Sequence, residues 1–166
     1  SVILMLIGFG FKIGMVPVHF WIPDVYEGAP TPVAAFFSAA PKIAGFAILL
    51  RFLSILMPLG VVNLVMFFAV ISAATMTAGN LAAIPQNNIK RLLGYSSVAQ
   101  AGYIIIALAS LNSLIAPQAV LIYLLAYMLA TIGAFCVVIA VSNFENSDDL
   151  SAYAGLGKRN PFVSFC

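Results

Sequence analysis

The chain has 166 residues, of which 63% are hydrophobic and 7% charged, and its formal net charge is +2. An ordinary soluble domain carries about 25% charged residues, so this composition excludes a soluble globular protein and points to an integral membrane protein. The small, dispersed positive balance excludes a nucleic-acid binder, and the lack of alternating ten-residue strands argues against a β-barrel.

Apolar runs of about 20 residues recur along the chain, each long enough as a helix to cross a ~30 Å hydrocarbon core. The first predicted helix covers residues 1–22, with Lys12 near its middle and Pro17 five residues later. Proline removes a backbone donor and clashes with the preceding turn, so this helix should kink or break between Lys12 and Pro17. Freed backbone groups there would line a hydrated cavity; the plainer alternative is a helix that ends early, with Trp21 as an interfacial anchor. His19, beside that end, is either a hydrogen-bonded interfacial histidine or a proton relay, since histidine titrates near neutrality.

Pro23 to Pro32 reads as a loop carrying Asp24 and Glu27, and a second helix is predicted over 33–56 with Ser38, Pro41, Lys42 and Gly45 inside it. Lys12 lies about ten residues before this loop and Lys42 about ten after it, which at ~1.5 Å per residue places both ~15 Å deep. An ammonium at mid-bilayer costs roughly 2.5–3.5 kcal/mol, so both lysines are candidate functional residues.

Pro58-Leu59-Gly60 marks a turn, and a third helix is predicted over 61–84, with Ser72, Thr75 and Gly79 on one face for close packing. A fourth, 89–110, opens with Lys90 and Arg91 as interfacial anchors and carries Ser96, Gln100 and Tyr103 as a polar stripe. That stripe either carries water and protons or makes ordinary interhelical hydrogen bonds. After a loop at Asn112 to Pro117, a fifth helix over 118–141 aligns Tyr123, Tyr127 and Thr131 as a second polar lining. Residues 143–160 are predicted as a surface loop with a short amphipathic helix after Ser147, and 161–166 as the start of a sixth helix.

The loops at 23–32, 85–91 and 143–160 fall on one side of the membrane. Lys90, Arg91, Lys158 and Arg159 cluster there, which makes that side cytoplasmic or its organellar equivalent. Neither end reads as a natural terminus, and an internal fragment of a larger polytopic protein is expected. Cys136 and Cys166 lack metal-ligand spacing and are read as inert.

Several strings in this order carry a family resemblance: Phe11-Lys12, Pro17-x-His19-x-Trp21-x-Pro23-Asp24-Val25-Tyr26-Glu27-Gly28-Ala29-Pro30-Thr31-Pro32, Pro41-Lys42-x-Ala44-Gly45, and Asn88-x-Lys90-Arg91-Leu92-Leu93-x-Tyr95-Ser96-Ser97. Together they resemble the antiporter-like membrane subunits of respiratory complex I, the subunit N (subunit 2) type in particular. The resemblance implies an all-α polytopic bundle with a discontinuous helix near Lys12. It implies proton translocation coupled to quinone reduction elsewhere in the complex, with Lys12 and Lys42 as proton-transfer residues. It further implies that NADH, flavin, iron–sulfur clusters and quinone belong to other subunits and none to this one. The implied partners are other complex I membrane subunits, the lipid bilayer, protons and water. The implied location is the bacterial plasma membrane, or the thylakoid or mitochondrial inner membrane. Gln100 stands where many family members have histidine, so a titrating relay on that helix is not expected. The rival readings are a multisubunit cation/proton antiporter without redox coupling and a structural scaffold.

Overall fold

The computed structural model describes residues 2–56, 64–110, 115–145 and 147–165, and all regular structure among them is helical. The predicted turn at Pro58-Leu59-Gly60, the first half of the Asn112 to Pro117 loop and Cys166 lie outside the described residues. The helices are α1 (Val2–Ile13), α2 (Trp21–Gly28), α3 (Thr31–Leu56), α4 (Leu64–Ala83), α5 (Ile89–Ala109), α6 (Ala116–Glu145), α7 (Leu156–Arg159) and α8 (Pro161–Phe165), with a 3-10 turn at Leu150–Tyr153 before α7. Helices α3 to α6 are each long and apolar enough to cross a membrane.

The break expected between Lys12 and Pro17 is present, while the expected span over 1–22 and the loop to Pro32 are corrected. α1 stops at Ile13, and Trp21–Gly28 is helical, so only Ala29 and Pro30 join α2 to α3. Pro23 does not oppose this, because it lies in the first turn of α2, where a backbone N–H has no intrahelical acceptor to lose. Pro32 and Pro117 likewise stand at the second positions of α3 and α6. α6 also runs four residues beyond its predicted end, to Glu145, since Val141-Ser142-Asn143-Phe144 holds no breaker and Val141 is buried.

α4 and α5 pack most closely. The buried Ser72, Thr75 and Gly79 form the α4 face of that contact. The Ser72 hydroxyl donates to the Gly102 carbonyl at 2.7 Å, and a Cβ on Gly79 would lie 2.6 Å from the Ala99 backbone nitrogen. One apolar core joins α1, α3, α4, α5 and α6 around Ile13, Phe46, Leu53, Phe68, Ile105 and Val120. A smaller one gathers Ile22, Tyr26, Ala34, Val98 and Phe135 around α2.

Three connections meet at one end of the bundle, as the topology requires. Asn88 caps α5, its side-chain oxygen accepting from Lys90 N and Arg91 N, and pairs antiparallel with Asp149. Arg91 reaches Asp24 and Glu27 of α2 at 2.7 Å each. Lys90, expected as an exposed anchor, is instead 7% exposed. It is paired with Asp148 at 2.9 Å and donates to the Ala29 carbonyl at 3.2 Å, so its stem is covered by the turn that joins α2 to α3. Ser147 accepts from the Asp149 amide, but the chain beyond it forms the 3-10 turn and the single-turn α7, not one amphipathic helix.

Candidate functional site

The break after α1 is built by Gly14. Its φ of +82° lies in the left-handed region, which only glycine enters at little cost. The Gly14 and Met15 amides turn back to Phe11 O and Gly10 O at 3.3 and 2.8 Å, closing the helix in a Schellman motif. The Phe11 carbonyl also accepts from Trp21 Nε1 at 2.9 Å, and the two rings stack 5.2 Å apart. The Val16 amide donates to Thr75 Oγ1 of α4 at 3.2 Å, and the Val16-Pro17 bond is cis. The unwound stretch is thereby tied to α2 and α4.

Lys42 lies against this break. It is 3% exposed, and a Cβ placed on Gly14 would sit 3.9 Å from its Nζ. The carbonyl end of α1 carries the negative pole of the helix dipole, so it faces the ammonium with favourable sign. Lys42 Nζ donates to the Ser97 carbonyl at 2.5 Å and stands 5.9 Å from the centre of the Tyr127 ring. Among the described residues, none of the carboxylate ion pairs includes Lys42. A carbonyl, a ring face and a helix end compensate its charge in place of an anion.

Lys12 is exposed on the flank of the bundle, with its stem packed over Gly45, whose Cβ would meet Lys12 Cγ at 3.5 Å. Gly45 lies three residues beyond Lys42, so the two lysine sites are offset by about one turn, ~4.5 Å along α3. Counting outward from the loop gives equal depth instead. The offset arises because seven residues between α1 and α2 are not helical.

The two predicted polar stripes face each other. A cavity of about 410 Å³ between α5 and α6 is lined by Ser96, Ser97 and Gln100 on one wall and Tyr123, Tyr127 and Thr131 on the other, room for on the order of ten waters. The Tyr123 hydroxyl donates to Gln100 Oε1. Ser97 and Tyr127 belong both to this lining and to the contacts of Lys42, which itself stands behind the lining. Tyr127 also donates to the Ser38 carbonyl at 3.2 Å, one turn before Pro41. Tyr103 is not brought to the cavity; it is 39% exposed, and its hydroxyl accepts from Asn80 Nδ2 at 3.3 Å. His19 lies in the α1–α2 connection, apart from the cavity lining, and its Nδ1 is buried without a partner among the described residues.

Sequence reasoning missed Ser97 and Tyr26. Ser97 adjoins the Ser96 stripe but faces Lys42 through its backbone, which periodicity of side chains does not report. Tyr26 falls in the stretch expected as loop. Cys136, read as inert, is exposed on α6. Among the described residues no three His, Cys, Asp or Glu side chains gather as a metal site would require.

At the loop end, burial alone would raise the Asp148 carboxyl. Hydrogen bonds from Lys90 and Ser142, with the Lys90 charge, outweigh it and hold the group below the usual aspartate range. Burial, with the Asp148 charge beside it, pushes the Tyr153 phenol up to about 12.

Residues 1–166 match the family model described as NADH:quinone oxidoreductase/Mrp antiporter, TM. A curated relative from Chloroherpeton thalassium named NADH-quinone oxidoreductase subunit N 2 is 47% identical over 169 residues, covering 98% of this chain and 33% of that protein. The NADH-quinone oxidoreductase subunit N of Heliobacterium modesticaldum is 48% identical, covering 99% and 35%. The chain thus spans about a third of the length of these relatives. Among solved structures, respiratory complex I from Thermus thermophilus contains a chain 42% identical with a TM-score of 0.79, covering 98% of this chain and 34% of that one. The Mrp complex from Dietzia sp. DQ12-45-1b contains one 27% identical with a TM-score of 0.85, covering 98% and 30%.

Proposed function

The chain belongs to the NADH:quinone oxidoreductase/Mrp antiporter membrane family, and we propose that it is part of a proton-translocating subunit of NADH-quinone oxidoreductase, of the subunit N type. The observation that carries this reading is a buried ammonium, Lys42, held by the Ser97 carbonyl at a helix break beside residues that line a cavity into which Gln100, Tyr123 and Thr131 also open. Among the described residues Lys42 has no carboxylate partner, so a change in nearby charge acts on its ammonium unopposed by a fixed anion. Lys12, whose stem packs on Gly45 one turn along α3 from Lys42, supplies such a charge, since a like charge nearby disfavours the protonated form. A carboxylate brought to the exposed flank would hold the Lys12 proton, and its withdrawal would let that charge bias Lys42. Lys42 then passes its proton to water in the cavity, where Gln100, Tyr123, Tyr127, Ser96 and Thr131 offer donors and acceptors. Gln100 holds water there but does not titrate.

In this reading the redox chemistry, with NADH, flavin, iron–sulfur clusters and quinone, lies in other subunits, and the other membrane subunits of the complex are the partners. Relatives 46–48% identical carry the oxidoreductase name, against 27% for the Mrp neighbour, which favours redox-coupled pumping over cation exchange alone. The multi-pass helices and bacterial relatives place such a subunit in the cell membrane. The test is Lys42→Met in the full-length subunit within the assembled complex, reconstituted into vesicles. NADH oxidation and acidification are followed together, and proton transfer should fall roughly a hundred-fold through this subunit. Wild-type pumping by an assembled Lys42→Met complex would remove Lys42 from the path.

A further inference from the structure

Thr75 of α4 is fully buried, and its hydroxyl is used twice. It donates to the Ile71 carbonyl of its own helix at 2.6 Å and accepts from the Val16 amide at 3.2 Å. The first bond is an ordinary one for threonine inside a helix. The second reaches 59 residues back along the chain, into the unwound stretch between α1 and α2. Val16 precedes Pro17, a position biased to extended backbone, and the α1 ladder has already closed at Gly14 and Met15. Thr75 Oγ1 is thus the acceptor that the Val16 N–H finds in place of a helical carbonyl.

The same face of α4 also fixes α5. Ser72, one turn before Thr75, donates to the Gly102 carbonyl at 2.7 Å. Gly79, one turn after it, lets the Ala99 backbone approach so closely that a Cβ would stand 2.6 Å from its nitrogen. Lys42 Nζ lies between the two elements held in this way. It donates to the Ser97 carbonyl of α5, and a Cβ on Gly14 of the break would be 3.9 Å from it. Among the described residues α4 supplies no hydrogen-bond or ring partner to the ammonium itself. It nonetheless touches both sides of the gap that the ammonium fills, and Thr75 is its hydrogen bond to the break.

We propose that Thr75 is a positioning residue for Lys42: its hydroxyl latches the unwound stretch after α1 to the α4 face that carries α5, and so fixes the gap between Gly14 and the Ser97 carbonyl in which the ammonium sits. The latch rests on the proton-transfer role of Lys42. Valine has the shape of threonine and fills the same space, but it leaves the buried Val16 amide without its acceptor. The unwound stretch then shifts until that amide reaches another acceptor, and Gly14 moves against Lys42. Serine keeps Oγ and loses only a methyl group. A packing role for Thr75 therefore ranks valine above serine, and a latch ranks serine above valine.

The experiment uses the assembled complex in vesicles with the full-length subunit carrying Thr75→Val, Thr75→Ser, Ser72→Ala or Lys42→Met. The part of NADH-driven proton transfer that Lys42→Met removes is the part carried by this subunit. Thr75→Val should lower that part roughly ten-fold, short of the hundred-fold that a 1 Å misplacement can cost, with the KM for quinone unchanged. Thr75→Ser should pump as wild type does, and so should Ser72→Ala, which removes a hydroxyl of the same face that bonds only to α5. Deuterium uptake at the Val16 amide should rise in Thr75→Val and stay at the wild-type level in Thr75→Ser. Normal pumping by Thr75→Val beside a failed Lys42→Met, or better pumping by Thr75→Val than by Thr75→Ser, overturns the latch alone. Unchanged uptake at Val16 in Thr75→Val does the same, as does a loss in Ser72→Ala equal to that in Thr75→Val. Normal pumping by Lys42→Met overturns the role of the lysine beneath it. If Thr75→Val does not assemble, Thr75→Ala takes its place against Thr75→Ser, and equal pumping by those two overturns the latch.

Discussion

Replacing Gly14 by alanine tests whether the α1 break is built by backbone geometry. At φ +82° an L-residue costs about 1–2 kcal/mol. The new Cβ also meets the Ile22 side chain, which is fully buried and cannot swing away freely. Such overpacking adds typically 1–3 kcal/mol, so Gly14→Ala should destabilise the subunit by about 2–5 kcal/mol. Ile22→Ala separates the two contributions, because it removes the side chain that the new Cβ meets. In that background Gly14→Ala should cost only the about 1–2 kcal/mol of the left-handed backbone. The assay is denaturant unfolding of the full-length subunit in detergent micelles, followed by tryptophan fluorescence; Trp21, stacked on Phe11, reports the break directly. Gly14→Ala as stable as wild type, or an undiminished loss for Gly14→Ala in the Ile22→Ala background, would refute the account of the break.

Packing and charge at the loop end lead to two further outcomes. The Asp148 carboxyl is held below its ordinary value in the folded chain, so its contribution is present above the unfolded aspartate pKa of about 3.9 and is lost as pH falls through the lower folded value. Protection of the Ile89 and Leu150 amides, which bond to Asp148 O and Asn87 O, measured against the intrinsic exchange rate at each pH, should therefore fall as the sample is acidified below about pH 4, and Asp148→Asn should abolish that dependence. Gly79→Ala places a methyl 2.6 Å from the Ala99 backbone, so α4 and α5 must separate. A loss of about 1–3 kcal/mol is expected, read as a lowered unfolding midpoint.

The range over which each signal acts decides how much of this molecule the sequence disclosed. The membrane class, the four long helices and the two polar stripes depend on composition and on spacings of three, four and seven residues, so Gln100 and Tyr123 were legible before their helices were known to touch. The α1 break was expected from Pro17 and is made by Gly14 three residues earlier, because a glycine in an apolar run gives no sign of its φ until a neighbour needs the space its Cβ would fill. Prolines misled at α2, where Pro23 lies in a first turn that tolerates it.

The environment of Lys42 could not be read along the chain at all. Ser97 and Tyr127 meet it across separations of 55 and 85 residues, and the decisive acceptor is a backbone carbonyl, which every residue possesses. The same holds for Lys90. As the first basic residue of a helix it reads as an interfacial anchor, yet the Ala29 carbonyl and Asp148, from turns 61 and 58 residues away, bury it. The loop-end staple and the lysine cavity thus share α5 as their common wall. Lys90 and Arg91 fix its first turn to α2 and to the segment after α6, and Ser97, two turns on, presents its carbonyl to Lys42. A shift of α5 by even a fraction of a turn would withdraw that carbonyl and leave the ammonium only the Tyr127 ring and the end of α1. The ion pairs at the membrane surface therefore act on the buried lysine through the register of one helix.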